Sequence, residues 1–127
     1  SLFGIIMGKT YYELDVWIKA RELVSFVYGL TKNFPKEEQF VLVNQIRRCS
    51  ISVPSNIAEG CGRQTPKDSI NFFYIARGSL YELETQLYLS FDQKYISQEI
   101  LDECFTRITS CKQLINGFIN YYKTQIK

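Results

Sequence analysis

Apolar residues recur along this chain in steps of three and four within four separate runs, which predicts four amphipathic helices. In the first run Val16, Ala20, Leu23 or Val24, and Val27 share one side, joined by Trp17 and Tyr28. Thr10-Tyr11-Tyr12-Glu13 fits a capping box at its start, with Asp15 a rival N-cap, and the run fades near Lys32-Asn33. Phe34-Pro35 breaks the pattern, and Pro35 suits the first turn of the next helix, with Glu37 and Glu38 facing the positive end of its dipole. The second run carries Val43, Ile46, Ser50, Val53 and Ile57. Pro54 lies inside it, but the stripe keeps its phase on both sides, so the proline predicts a kink rather than a break. Gly60 and Gly62 are expected to end this helix by supplying positive φ.

Thr65-Pro66-Lys67-Asp68 opens the third helix, with Thr65 as N-cap and Pro66 in the first position. Its predicted seam is Ile70, Phe73, Arg77, Leu80, Glu84, Leu87 and Phe91, with Ala76 and Leu83 beside it. Ser97 caps the fourth helix, whose seam runs unbroken through Leu101, Cys104, Ile108, Cys111, Ile115, Phe118 and Tyr122. No strand-like alternation of comparable length occurs, and the connections are short. The expectation is an all-α, antiparallel up-down-up-down four-helix bundle over residues 12–124, behind an irregular lead-in at 1–11.

Composition changes this picture little. The chain has 127 residues, enough for one core, and its 46% hydrophobic and 22% charged residues suit a folded protein. A net charge of +2 is too small to predict nucleic-acid binding from bulk charge. The apolar run Leu2–Met7 is too short to span a membrane, so no membrane association is expected. Histidine is absent, which removes His-based general bases, triads and ligand sets. A zinc site would need Cys49, Cys61, Cys104 and Cys111 together, and none of these forms a C-x-x-C pair. They read as buried free thiols, and with no secretion signal the reducing cytoplasm is the expected compartment. No catalytic residue, metal or cofactor is assigned, and the protein reads as a non-enzyme.

The charged and exposed positions carry the functional expectations. Arg47, Arg48, Arg63 and Lys67 cluster along the second helix and its turn into the third. They are either solvated or internally paired charge, or contacts to phosphates. Arg77 and Glu84 fall on the third seam, where a charge is costly unless paired. They are expected to join Asn56 and Glu59 in one polar network, with Arg48 as a further partner. Tyr74, Tyr81, Tyr88 and Tyr95 repeat every seven residues on the flank of that seam, as the rim of the core or as a subunit contact. A second apolar face appears at Leu14, Ile18 and Phe26 on the first helix, and at Ile75, Gly78 and Leu89 on the third.

The combination of Leu14-Asp15-Val16-Trp17, Phe34-Pro35, Gln45-Ile46-Arg47-Arg48, Asn56-Ile57-Ala58-Glu59-Gly60 and Gly78-Ser79-Leu80 with Glu82-Leu83-Glu84-Thr85 resembles one family. It is the bacterial four-helix-bundle proteins encoded within intervening sequences of 23S ribosomal RNA genes, some of them labelled ribosomal proteins. That family is similar in fold to the accessory variability protein of diversity-generating retroelements. The resemblance implies a homo-oligomer, a pentamer, with RNA or other nucleic acid and a reverse-transcriptase-like protein as partners. It raises Arg47, Arg48, Arg63 and Lys67 as RNA contacts and implies no enzymatic activity. The alternative is a structural or protein-binding adaptor without direct nucleic-acid contact.

Overall fold

In a computed structural model of the protein, Gly4 and residues 8–126 are described, so the expected lead-in at 1–11 falls largely outside those residues. Four long helices form: α1 (Asp15–Thr31), α2 (Leu42–Cys61), α3 (Pro66–Asp92) and α4 (Gln98–Lys123). No strand occurs among the described residues. Short 3-10 turns at Tyr11–Glu13 and Lys36–Glu38 precede α1 and α2. Helix α1 packs on α2 and α4, and α3 packs on the same two, with the α2–α3 contact the most extensive. This is the helical bundle that the apolar spacing demands.

Local chemistry explains most of the boundaries. Thr10 Oγ1 donates to Glu13 Oε1 at 2.8 Å, but this box starts the 3-10 turn, and α1 itself begins at Asp15. Pro35 likewise precedes the Lys36–Glu38 turn, and α2 starts only at Leu42. Thr65 caps α3 by accepting from the Asp68 N–H at 3.2 Å, and Ser97 caps α4 by accepting from the Ile100 N–H at 3.2 Å. Helix α3 ends in a Schellman turn: Lys94 at φ 66° places the Tyr95 N–H on the Ser90 carbonyl and its own N–H on that of Phe91. Helix α2 runs continuously through Pro54.

The core follows the predicted stripes of α1, α2 and α4, save that on α4 Phe118 is half-buried and Ile119 is buried. Val16, Ala20, Leu23 and Val27 meet Val43, Ile46, Ser50, Val53 and Ile57, and Leu101 through Tyr122 complete the interior. Contacts between α2 and α3 pair Cys49 with Glu82, Ser52 with Ser79 and Gly60 with Phe73, so these helices run in opposite directions. Contacts of α3 with α4 pair Phe73 with Tyr122, Glu84 with Lys112 and Tyr88 with Phe105, in the same opposed sense.

Two expectations are corrected. The buried line of α3 is Ser69, Phe73, Ala76, Leu80, Leu83, Leu87 and Ser90, with Ile70 also buried, whereas Arg77, Glu84 and Phe91 are only half-buried. Both lines share Phe73, Leu80 and Leu87; the line that wins carries small residues, which allow α2 to come close. Gly60 and Gly62 do not adopt positive φ, which among glycines is confined to Gly8 within the described residues. Gly60 serves close approach instead: a Cβ there would lie 2.4 Å from the Phe73 ring and 3.0 Å from the Ser69 carbonyl oxygen.

Candidate nucleic-acid interface

The four expected RNA-contact cations have different surroundings. Arg47 is half-buried, donates from Nε to Thr31 Oγ1 at 2.9 Å, and stacks its guanidinium 4.4 Å from the centre of the Tyr28 ring. It ties α2 to α1 and offers little to a partner. Arg48 points about 100° away around the helix; it is exposed and makes no hydrogen bond or ion pair among the described residues. Arg63 pairs with Glu59 at 2.6 Å, lies 3.8 Å from Asp68 and covers the Phe72 ring at 4.3 Å, so its charge is compensated at the α2–α3 turn. Lys67 is exposed and unpaired among the described residues. Arg48 and Arg63 are fifteen residues apart, about 22 Å along a helical rise. The four therefore mark two places on the bundle rather than one.

The single polar network expected of Asn56, Glu59, Arg77 and Glu84 does not form. Asn56 Nδ2 donates to the Ser52 carbonyl at 2.8 Å and to Ser52 Oγ at 2.9 Å, and Ser79 Oγ donates to Ser52 Oγ at 2.9 Å, linking α2 to α3. Glu59 goes to Arg63. Arg77 donates to Asn116 Oδ1 at 2.9 Å, and Glu84 accepts from Lys112 Nζ at 2.7 Å, both on α4. The one-residue rotation of the α3 seam is the cause, since it turns Arg77 and Glu84 toward α4. Lys112 and Asn116 were missed in the sequence. Their signal was available: they are four apart on the flank of the α4 seam, facing charges seven apart on α3.

The expected second apolar face divides as well. Leu14 is a core residue, 6% exposed, because it precedes α1 in extended conformation and the helical period does not apply to it. Phe26 is half-buried against the core, under Arg107 at 4.3 Å. Ile18 is exposed beside Tyr11, Tyr12, Trp17 and Arg21, which line an open groove of about 890 Å³. Ile75 and Leu89 are 50% and 47% exposed on the outside of α3. A Cβ on Gly78, between them, would meet nothing within 4 Å. The connection into α2 exposes a further large side chain, Phe40, at 87%.

The titratable groups with displaced pKa values are thiols and tyrosines. Burial is the largest cause for all four cysteines, pushing Cys49, Cys104 and Cys111 up to about 11 and Cys61 up to about 12. Such thiols stay protonated and are poor nucleophiles. Tyr95 is raised mainly by donating its hydroxyl to Glu38 at 2.8 Å, a bond that ties the α3–α4 turn to the α1–α2 connection. Among the described residues no cluster of Cys, Asp or Glu is placed to hold a metal ion. No helix there is long and apolar enough to cross a membrane.

Comparison with known proteins points one way. Residues 12–117 match the 23S rRNA-intervening sequence protein family. The fold is similar to the crystal structure of a protein of unknown function from the S23 ribosomal protein family of Bacteroides thetaiotaomicron. The TM-score is 0.76 at 28% identity, over 82% of this chain and 97% of that one. No curated protein matches the chain.

Proposed function

The chain belongs to the 23S rRNA-intervening sequence protein family, and from that premise we propose a non-enzymatic homo-oligomer, a pentamer, that binds RNA as an accessory protein. The observation that carries the oligomer is the outside of α3, where Ile75 and Leu89 stand half in water around a glycine with open space above it. A chain that stays alone has no use for a second apolar stripe. Ile18 on α1 supports the same reading. Arg48 and Lys67 are the phosphate contacts, because their charges are uncompensated within the chain. Arg47 has an internal role in this reading, and Arg63 contributes only by exchanging Glu59 for a phosphate. Repetition around an oligomer turns two such cations per chain into a multivalent surface without new contacts. The reading places the protein in the cytoplasm.

The test is binding of a fluorescently labelled structured RNA at micromolar protein across a salt series. The expected result is an affinity that falls steeply with salt, as counterion release requires, and that is lost in Arg48→Glu with Lys67→Glu while helicity is retained. Absence of salt-sensitive binding by the unaltered protein overturns RNA binding. One observation favours a second reading: two of the four expected cations are engaged within the bundle. In that reading the protein is an adaptor for a protein partner, of the reverse-transcriptase-like kind that the resemblance implies. Its signature is an intact oligomer that binds no RNA.

A further inference from the structure

We infer that the α3–α4 groove is a stacking surface for single-stranded RNA, built on the exposed tyrosines of α3. This rests on the RNA-binding reading above and gives it a place and a strand preference. Tyr74, Tyr81 and Tyr88 repeat every seven residues, which sets them about 10.5 Å apart along one side of α3. Tyr81 and Tyr88 are 55% and 53% exposed, and Tyr74 is 37% exposed.

Each ring is held from one side by the chain itself. Lys112 Nζ sits 4.0 Å from the Tyr81 centroid, and Arg77 and Lys123 lie 4.9 and 6.0 Å from that of Tyr74. Phe105 packs against Tyr88 at 4.8 Å between centroids. The rings are thus oriented while much of their surface faces solvent. Lys112 is neutralised by Glu84 at 2.7 Å, but Arg77 has only the neutral Asn116 as hydrogen-bond partner. Lys123 is exposed and has no carboxylate partner among the described residues.

Oriented aromatic rings interleaved with uncompensated cations are the two components of sequence-tolerant single-strand binding: bases stack on the rings, and phosphates meet the charges. A protein surface using the rings as a subunit contact would gain from apolar neighbours. Here Phe105 beside Tyr88 is apolar, but Tyr81 has Lys112 beside it and Tyr74 has Lys123. Stacking on a protein ring needs a base face free of its own neighbours, which a single strand supplies. A duplex offers no free base faces.

The test uses the full chain with two fluorescein-labelled probes, a twelve-nucleotide uridine-rich single strand and an RNA duplex of equal length, read by anisotropy. Solution mass and circular dichroism are followed in parallel. The expected result is preference for the single strand and a loss of about fivefold to a hundredfold in affinity for Tyr81→Ser. Tyr81→Phe, which keeps the ring, retains affinity. Unchanged single-strand affinity in Tyr81→Ser and in Tyr88→Ser overturns the groove while leaving RNA binding through Arg48 and Lys67 standing. Loss of oligomer mass in the same variants also overturns it, by making the stripe a subunit contact. No binding of either probe, nor of the structured RNA, by the unaltered protein removes the RNA reading and the groove together.

Discussion

Helices α3 and α4 are nearly equal in length, 27 and 26 residues, and both bury an unbroken seam, yet their outer sides differ completely. The outside of α4 is Thr106, Thr109, Gln113, Gly117 and Asn120, a polar surface that water alone accounts for. The outside of α3 carries Ile75 and Leu89, both about half exposed. Each face has an exposed glycine, Gly78 or Gly117, and a Cβ on either would meet nothing within 4 Å. Glycine is therefore not the distinguishing feature; its neighbours are. One outer face is polar, and the other carries apolar side chains that the proposed assembly would cover.

The largest effect that sharpens this contrast sets two leucines of α3 against each other. Leu83 is fully buried and Leu89 is half exposed. Leu83→Ala is expected to lower the unfolding free energy by about 2–5 kcal/mol at any protein concentration. In the proposed oligomer Leu89→Ala acts only through assembly, so its urea midpoint is expected to depend on concentration and to approach that of the unaltered chain on dilution. A concentration-independent loss in Leu89→Ala would break the contrast.

The thiols supply the next effect, since all four lie on the inner side. Their pKa values rise from 9.0 to about 11 or 12, so the folded chain keeps protons that the unfolded chain releases. That stabilisation is complete below about pH 9 and is lost as the pH climbs toward the folded values. The urea midpoint should fall steadily above about pH 9. A midpoint that stays flat across that range contradicts the burial of these groups.

The glycines give a smaller and more local comparison. Gly60→Ala forces the Phe73 ring against Phe118 and Tyr122 and should cost about 1–3 kcal/mol. Gly117→Ala should stabilise the chain by up to about 1 kcal/mol through helix propensity. Gly78→Ala gains the same propensity, so a drop in solution mass in this variant alone assigns its open space to a neighbouring subunit. Smallest of all, Arg47→Ala removes the Thr31 bond and the Tyr28 stacking and should cost about 1 kcal/mol. Arg48→Ala should leave the urea midpoint unchanged.

Most of the bundle was legible because α1, α2 and α4 each carry one dominant apolar stripe, and the core keeps its phase. Helix α3 was not, since Phe73, Leu80 and Leu87 fit two lines equally well. The size of Ile70 and Phe91 favoured the wrong one. The deciding quantity, how close α2 approaches at Ser52, Gly60 and Ser79, belongs to two helices at once and is invisible in either alone. The same limit governs the polar residues. That Arg47 turns inward and Arg48 outward depends on where Tyr28 and Thr31 stand across the α1–α2 contact. Leu14 was misplaced because helical spacing was extended one residue beyond the helix.

The most direct measurement is solution mass by light scattering for the unaltered chain, for Ile75→Lys with Leu89→Lys, and for Thr109→Lys with Gln113→Lys. The account predicts a multiple of 14.9 kDa for the first and third, five-fold for a pentamer, and 14.9 kDa with full helicity for the second. An unaltered chain that scatters as 14.9 kDa at micromolar concentration, or an α3 variant that keeps its mass, contradicts it.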